Sequence, residues 1–342
     1  MRAVVIHEHG DLDRLVLEDR PTPEPGPGEV RVKVVACAMN HLDTWVRRGV
    51  PGHRFPLPIV PGCDFAGTVD ALGDGVANVA VGDEVCVAPG FGCGTCEECA
   101  DGDDNLCRRY GIFGETCDGG CAEFAVISAR NALPKPARLT WEEAAAAPLA
   151  YLTAWHMVVH RAKLEPGQTV LVQAGGSGVG VAAIQIAKLL GAKVITTAGT
   201  DEKVARAVAL GADVGVNYRT HDFLKEVKAW TGKAGVDVAI DHVGEPTIGK
   251  SIAALKKGGA LVTCGATAGF ELKTDLRLVF FKSLSILGST MGSLGEVHDV
   301  LRLMEDGRLT PVVHSVLPLE EIREAHRILG DREVFGKVVV RP

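Results

Sequence analysis

A glycine-rich turn between a strand pattern and a helix pattern constrains the fold of this chain more than any other feature. The apolar run TVLVQA is followed by AGGSGVG and then by the helix pattern VAAIQIAKLLG. Glycines permit a tight turn, and the unpaired amides at the start of the helix attract a phosphate group. The pattern therefore predicts a βαβ unit that binds the pyrophosphate of a dinucleotide. The binding residues it predicts are Gly175, Gly176, Ser177, Gly178, Val179 and Gly180, with Ser177 where a strict GxGxxG pattern has its second glycine.

Strand and helix patterns alternate from about Thr140 onwards. The strand candidates KVITTA, VDVAIDHV and GALVTCG are almost uninterrupted apolar runs, and DEKVARAVALG between two of them reads as a helix ending in glycine. Such runs are typical of parallel strands that helices cover on both faces. We therefore predict a Rossmann domain, a doubly wound parallel sheet, over residues 154–290.

The first part of the chain has a different pattern. Short strand candidates such as EVRVKVVACAMN, GCDFAGTVDAL and CAEFAVI are separated by Gly and Pro, which is typical of a twisted antiparallel β domain. The stretch after residue 290 reads as a strand, a helix and a final strand. Because 342 residues exceed the size at which one core usually stops growing, we expect two domains, the first spanning residues 1–153.

Four of the ten cysteines lie in one short segment, GCGTCEECADGDDNLC. A chain without a signal-peptide pattern is expected to keep its thiols reduced, so these cysteines favour metal binding over disulfides. Four thiolates can close a tetrahedral shell around zinc, which stabilises a fold and leaves no position for substrate. An iron–sulfur cluster and a set of packed free thiols are the alternatives. The predicted structural zinc ligands are Cys93, Cys96, Cys99 and Cys107.

The end of the strand KVITTA bears on the choice between two dinucleotides. An acidic residue there would bind the ribose hydroxyls of NAD and repel a 2′-phosphate, whereas this strand ends in Ala-Gly. Asp201 follows a few residues later and could be misread as the acid, but Thr200 and Lys203 suit a phosphate, and Tyr218 and Arg219 follow the next strand. We predict that the chain binds NADP(H) in preference to NAD(H).

Composition excludes several other functions. The net charge of −7 argues against nucleic acid as a partner, because phosphate neutralisation needs clustered Lys and Arg. No signal pattern begins the chain, and the longest apolar stretch, residues 144–155, is interrupted by Pro148 and is too short for a membrane span. We expect a cytoplasmic protein that acts on a small molecule.

Together these motifs resemble the medium-chain dehydrogenase/reductase superfamily over essentially the whole length. The resemblance rests on the cysteine spacing, NHLDTWVRRG, PGCDFAGTV, GDEV, LTAWH, AGGSGVG and FGKVVV. It implies an α/β protein with a GroES-like, mainly β catalytic domain, completed by about residues 291–342, and a Rossmann coenzyme domain. It also implies a homodimer or homotetramer in which edge strands of the coenzyme domains pair. Residues 283–290 are the candidate for that edge strand, with an internal buried strand as the alternative.

Within the superfamily, the chain is similar to bacterial proteins labelled zinc-binding alcohol dehydrogenase or quinone oxidoreductase. It departs from the alcohol dehydrogenases at their catalytic zinc ligands. Asn40 stands where they have a Cys, Cys63 where they have the His of GHE, and Leu149 at the third ligand position. One conventional ligand is too few for a catalytic zinc, which normally has three. A rearranged metal site would have to use Cys37, His41, Cys63 and Asp64.

The leading hypothesis is therefore hydride transfer to a quinone, enone or related carbonyl without catalytic zinc. In the quinone reductases that the chain resembles, the positions of Asn40 and Thr153 lie by the nicotinamide, which makes these two the predicted catalytic residues. Tyr151 and His156 flank Thr153 as further proton-donor candidates, with a core role as the alternative. A zinc-dependent alcohol dehydrogenase with a rearranged site and a non-enzymatic cofactor-binding protein are the alternative functions.

Overall fold

Two stretches of the chain form one folded unit, and the stretch between them forms another. The computed structural model describes residues 1 to 342. The first unit comprises Met1–Leu149 and Ser293–Pro342, and the second comprises Ala150–Gly292. The sequence predicts domain boundaries at 153/154 and 290/291, whereas the units divide at 149/150 and 292/293. Thr153 therefore lies in the second unit and not at the end of the first domain.

The first stretch is rich in short strands, as the sequence predicted. Its strands are β1 (Arg2–Val5), β2 (Val16–Asp19), β3 (Glu29–Ala38), β4 (Asp64–Leu72), β5 (Glu84–Val87), β6 (Gly90–Phe91), β7 (Gly111–Ile112), β8 (Phe124–Ser128) and β9 (Ala132–Pro134). Its helices are α1 (His41–Arg48), α2 (Glu97–Ala100) and α3 (Trp141–Ala146), with 3₁₀ turns at Leu12–Arg14, Asp104–Leu106 and Ala129–Asn131. Alternate residues of β3, such as Val30 and Val32, are buried in the core, as a half-buried strand requires.

Strands β3 and β4 approach each other closely at one glycine. A Cβ atom on Gly67 would lie 2.1 Å from the backbone oxygen of Lys33, so a larger residue does not fit without a shift of the strands. Close packing here brings the end of β3 beside the start of β4, where Ala38 is opposite Asp64. The motifs NHLD and PGCD therefore meet at one end of this strand pair.

The apolar stretch of residues 144–155 forms parts of two helices that meet at Pro148. Thr140 caps α3 by accepting a hydrogen bond from the backbone of Glu143. Pro148 begins α4 (Pro148–Trp155), and a π-helical segment follows at His156–Arg161. Single π-helical turns often occur at functional sites. None of the helices in the structure has both the length and the apolarity that a membrane crossing requires.

The second unit contains the predicted parallel sheet. Its strands are β10 (Thr169–Val172), β11 (Lys193–Ala198), β12 (Val214–Asn217), β13 (Val236–Ile240), β14 (Leu255–Thr263) and β15 (Ser285–Gly288). The helices between them are α5 (Gly178–Leu189), α6 (Asp201–Ala209), α7 (Phe223–Trp230), α8 (Glu245–Ala254) and α9 (Leu276–Phe281). All neighbouring strands are parallel in the order β12-β11-β10-β13-β14-β15. This is the strand order of the Rossmann fold, and its direction reverses between β10 and β13.

The C-terminal stretch returns to the first unit. It comprises α10 (Leu294–Glu305), β16 (Val313–Pro318), a 3₁₀ turn (Leu319–Glu321), α11 (Ile322–Gly330) and β17 (Lys337–Arg341). Strand β17 pairs antiparallel with β3, in a seven-stranded sheet of order β16-β17-β3-β4-β5-β9 with β8 also paired to β3. The pairing brings Lys337, at the start of β17, to the end of β3.

Candidate functional site

The four predicted zinc ligands converge in the first unit. Cys96 immediately precedes α2, Cys99 lies within it, and Cys107 follows the 3₁₀ turn at Asp104–Leu106. The four sulfur atoms lie within 4.8 Å of one another, with Cys96 and Cys107 3.6 Å apart and Cys93 and Cys99 4.0 Å apart. Zinc–sulfur bonds of about 2.3 Å in a tetrahedron imply sulfur separations of roughly 3.8 Å. The spacing therefore fits a single zinc ion at the centre better than a cluster of several metal atoms.

Backbone amides surround these sulfur atoms. Gly94 donates to Cys99 at 3.3 Å, and the amides of Cys93 and Arg109 donate to Cys107 at 3.4 and 3.3 Å. The amide of Thr95 donates to the Cys93 sulfur and helps to lower the pKa of that thiol to about 5. Hydrogen bonds to sulfur favour the thiolate form that binds zinc. The four donors complete a shell, which suits a structural role.

A buried polar network lies where β3, β4 and β17 meet. The Lys337 ammonium is 2.9 Å from Oδ2 of Asp64 and also donates to Oδ1 of Asn40. The Asn40 amide nitrogen is 3.0 Å from Oδ2 of Asp64 and 3.3 Å from the sulfur of Cys63. All four side chains are buried, with Asp64 fully excluded from solvent. Both ends of the Asn40 amide are thus held by the protein itself.

These contacts do not assemble the rearranged metal site. Oδ1 of Asp64 accepts the backbone amide of Leu149 at 2.7 Å, and Oδ2 accepts from Lys337 and Asn40. The thiol of Cys37 faces Cys121, with 3.7 Å between the sulfur atoms. Burial raises the pKa values of Cys37 and Cys63 well above the usual thiol range. Asp64 thus contacts Lys337 and Cys37 contacts Cys121, so two of the four side chains named for a rearranged metal site have other partners.

The glycine-rich turn in the second unit has the geometry that its sequence predicted. Ser177 caps α5 by accepting a hydrogen bond from the backbone of Gly180 at 3.0 Å. A Cβ on Gly175 would lie 2.2 Å from the hydroxyl of Thr196, and one on Gly180 would lie 2.2 Å from the oxygen of Ala174. These glycines are required for the close approach of turn and sheet. With Gly176, Gly178 and Val179, they place the start of α5 at the carboxyl end of β10.

Small and basic residues gather at the end of β11. Thr200 caps α6 by accepting the backbone amide of Lys203 at 3.2 Å. The hydroxyl of Tyr218 packs beside Gly199, where a Cβ would lie 2.7 Å from it, and Nε of Arg219 would be 3.6 Å away. The carboxylate of Asp201 accepts a hydrogen bond of 2.7 Å from the Asn217 amide. A cation, a phenol and a hydrogen-bonded carboxylate thus surround this strand end.

The two predicted proton-donor candidates and Thr153 have different environments. The hydroxyl of Thr153 is buried in α4 and has no hydrogen-bond partner, not even within its own helix. Tyr151 is also buried, and its hydroxyl accepts a hydrogen bond from Gln185 at 2.8 Å. The His156 ring stacks on His160, with 5.7 Å between ring centres. Of these three side chains, Thr153 has the hydroxyl that makes no hydrogen bond within the protein.

Comparisons with known proteins cover the whole chain. Models of an alcohol dehydrogenase GroES-like domain and of a zinc-binding dehydrogenase match residues 26–137 and 178–306. The crystal structure of an NAD-dependent alcohol dehydrogenase is 52% identical over 100% of both chains, with a TM-score of 0.97. Human quinone oxidoreductase is 30% identical, covering 99% of this chain and 97% of its own. Crotonyl-CoA carboxylase/reductase of Cereibacter sphaeroides is 34% identical over 95% of this chain and 83% of its own.

The chain belongs to the medium-chain dehydrogenase/reductase superfamily. It is an oxidoreductase of that superfamily, with the GroES-like and Rossmann-type domains that the sequence predicted.

Sequence reasoning missed three residues of this medium-chain dehydrogenase/reductase. Lys337 was part of a family motif, FGKVVV, but nothing near it in the sequence pointed to Asp64. Asp43 accepts the backbone amides of Asn40 and Gly62 at 2.7 and 2.9 Å, and burial raises its pKa to about 6. The third, His242, follows β13, which ends at Ile240 rather than continuing through the predicted strand VDVAIDHV. A polar residue after an apolar strand was the signal available for it.

Proposed function

We propose that this protein uses NADP(H) to reduce a quinone, an enone or a related carbonyl without a catalytic zinc ion. The contact between Lys337 and Asp64 carries the proposal, because it gives a fixed positive charge to the motifs where the zinc alcohol dehydrogenases that the chain resembles hold their metal. A quinone or enone accepts hydride with weaker electrophilic activation than a simple carbonyl needs. The names of the quinone oxidoreductase and the crotonyl-CoA reductase among the relatives agree with this substrate class.

The residues of the chain supply orientation and hydrogen bonds. When bound, the nicotinamide supplies the hydride. Lys337 has three N–H bonds, of which two are directed to Asn40 and Asp64, so one remains for an oxygen of the substrate. Asn40 fixes this ammonium, and Thr153 offers its unpaired hydroxyl to the substrate oxygen or to the nicotinamide carboxamide. We propose Asn40 and Thr153 as site residues in these roles.

The preference for NADP(H) is supported by the end of β11. A 2′-phosphate carries negative charge, and the guanidinium of Arg219 and the hydroxyl of Tyr218 lie beside Gly199. Thr200 and Lys203 begin the next helix, whose N-terminus favours anions. Asp201 and the name of the 52% identical NAD-dependent alcohol dehydrogenase are the opposing observations.

We also propose one structural zinc bound by Cys93, Cys96, Cys99 and Cys107, and a homodimer or homotetramer formed through β15. The zinc is supported by the convergence of the four sulfur atoms. The oligomer is supported by the position of β15 at the edge of the sheet, where Ile286 and the nearby Phe280 and Phe281 are exposed. Exposed apolar side chains along an unpaired strand mark a surface for association.

The test compares two assays on metal-replete protein. Oxidation of NADPH by a quinone such as 1,4-benzoquinone or by an enone such as 2-cyclohexenone supports the proposal if it survives removal of all zinc except the ions held by the four cysteines. The second candidate, a zinc-dependent alcohol dehydrogenase, is favoured by the 52% identical relative. It predicts reduction of the oxidised cofactor by alcohols, with activity lost in Cys63→Ala at unchanged thermal stability. Tight cofactor binding with no turnover of either class would favour a non-enzymatic role.

A further inference from the structure

His242 lies at the point of the parallel sheet where a ligand is expected. It follows β13, and β13 and β10 are the two neighbouring strands between which the strand order reverses. Open parallel sheets bind their ligands at the carboxyl ends of such strands. The glycine-rich turn follows β10 at this same edge, so His242 and Ser177 reach each other across it.

The imidazole of His242 is joined to the cap of helix α5. Its Nε2 lies 2.9 Å from the hydroxyl oxygen of Ser177, which also accepts the backbone amide of Gly180. The Gly180 amide occupies one lone pair of the Ser177 hydroxyl, whose hydrogen is available to Nε2 of His242. A neutral ring that accepts at Nε2 carries its hydrogen on Nδ1. Burial lowers the pKa of His242, which keeps the ring neutral.

The Nδ1 atom is buried and has no hydrogen-bond partner in the protein. The whole side chain is 7% exposed. Buried polar atoms in folded proteins are almost always paired, so an unpaired one suggests that a partner is missing. The hydrogen on Nδ1 requires an acceptor, and the groups that a dinucleotide presents at a glycine-rich turn are diphosphate and ribose oxygens.

The loop that carries His242 is held rigidly. The carboxylate of Asp241 accepts the backbone amides of Val243 and Gly244 at 3.0 and 3.2 Å, and it also accepts the hydroxyl of Ser251 at 2.7 Å. The backbone oxygen of His242 accepts the amide of Thr267 at 3.3 Å. These bonds fix the backbone on both sides of the imidazole.

We propose that His242 is a cofactor-binding residue whose Nδ1–H donates a hydrogen bond to a diphosphate or ribose oxygen of the bound nicotinamide dinucleotide. This inference rests on the proposed dinucleotide site and adds to it a residue outside the glycine-rich turn. Ser177 then has a second role besides capping α5, because a hydroxyl that donates to Nε2 favours the His242 tautomer with hydrogen on Nδ1.

Two substitutions at His242 distinguish the role of Nε2 from the role of Nδ1. The amide of Gln in His242→Gln reaches the position of Nε2 and keeps the bond to Ser177, but it has no donor at Nδ1. The amide of Asn in His242→Asn places a donor near the Nδ1 position instead. Dissociation constants for NADPH and NADH are measured by titration calorimetry without substrate, with the exposed His298→Gln as control. We expect His242→Gln to weaken binding of the preferred dinucleotide about tenfold or more, and His242→Asn to weaken it less.

Unchanged affinity in His242→Gln, with wild-type protein that binds the dinucleotide, would overturn the role of His242 and leave the proposed function intact. Wild-type protein that binds neither dinucleotide would overturn both. ADP and nicotinamide mononucleotide are titrated as probes of the two halves of the dinucleotide. Weaker binding of ADP to His242→Gln assigns the bond to the ADP half, and weaker binding of the mononucleotide alone assigns it to the nicotinamide mononucleotide half.

A spectroscopic measurement keeps the inference testable if a substituted protein unfolds. Long-range ¹H–¹⁵N spectra of wild-type protein show which ring nitrogen of each histidine carries the hydrogen. We expect hydrogen on Nδ1 of His242 and a shift of that nitrogen when NADPH is added. Hydrogen on Nε2, or an Nδ1 signal that does not respond to a bound dinucleotide, would contradict the proposed bond.

Discussion

The ammonium of Lys337 lies 2.9 Å from the carboxylate of Asp64, and the two side chains are 5% and 0% exposed. In so dry an environment neither charge is tolerated alone, because the protein interior solvates ions poorly. Asn40 joins the pair by donating to Asp64 and accepting from Lys337. The three side chains therefore stabilise one another as a unit.

Removing the ammonium should reveal this dependence. We expect Lys337→Met to lower the free energy of unfolding by about 3–5 kcal/mol, because the Asp64 carboxylate stays buried without its cation. Urea denaturation measures the change. Lys188→Met is the matched control, since Lys188 and Asp213 are also 2.9 Å apart but are 32% and 38% exposed. That pair should contribute about 1 kcal/mol or less, and equal losses in the two variants would contradict the argument.

Residues that are close together in the chain were the ones whose arrangement could be predicted. The spacing of the four cysteines implies their convergence, because a short loop with glycines has few other ways to place them. The glycine-rich turn likewise contains its strand, its turn and its helix cap in one segment. Apolar runs between helix patterns were sufficient to predict a parallel sheet.

Contacts between distant segments could not be predicted in this way. Lys337 and Asp64 are 273 positions apart, and they meet only because β17 pairs with β3. For the same reason the pairing of Cys37 with Cys121 was not foreseen, and Cys37 remained a candidate metal ligand. Whether Nδ1 of His242 has a hydrogen-bond partner depends on the atoms around it in the folded protein, which the spacing of residues in the sequence does not predict.

The buried carboxyl of Asp43 should make stability depend on pH. Its pKa of about 6 in the folded protein exceeds the value of about 3.9 in an unfolded chain. Between these values the folded state binds more protons, so the contribution of Asp43 to stability falls as pH rises to about 6 and is constant above it.

Asp43→Asn removes this proton. We expect the unfolding free energy of wild type minus that of Asp43→Asn to decrease by about 2 kcal/mol between pH 4 and pH 7. Denaturation curves at several pH values measure both proteins under the same conditions. A difference that stays constant over this range would show that Asp43 is not protonated in the folded state.

Zinc content should follow the four-cysteine loop alone. We expect about one zinc per chain in wild type, little in Cys107→Ser and an unchanged amount in Cys117→Ser, whose thiol lies outside the cluster. Elemental analysis after dialysis against a weak chelator measures this. Loss of zinc should also lower the melting temperature of Cys107→Ser. About two zinc ions per chain would instead revive a second metal site.

Arg219 should distinguish the two cofactors. If its guanidinium binds the 2′-phosphate, Arg219→Met should weaken NADPH about tenfold or more and leave NADH unchanged, since NADH has no such phosphate. Titration of both cofactors measures the ratio. Arg277→Met is the control, because Arg277 is exposed and pairs with Asp275 instead. Equal weakening of both cofactors, or a wild-type preference for NADH, would contradict the proposed selectivity.

The edge strand β15 should determine the oligomeric state. Two copies that pair through this strand bring their Ile286 side chains, 40% exposed in the single chain, close to the symmetry axis. Ile286→Lys would place like charges there, and charged residues on an edge strand prevent pairing between sheets. We expect light scattering to show a smaller assembly for this variant than for wild type. Val208→Lys, at a similarly exposed apolar residue of α6, should leave the assembly unchanged. An unaltered assembly in Ile286→Lys would contradict the proposed interface. A monomeric wild type would contradict the proposed oligomer.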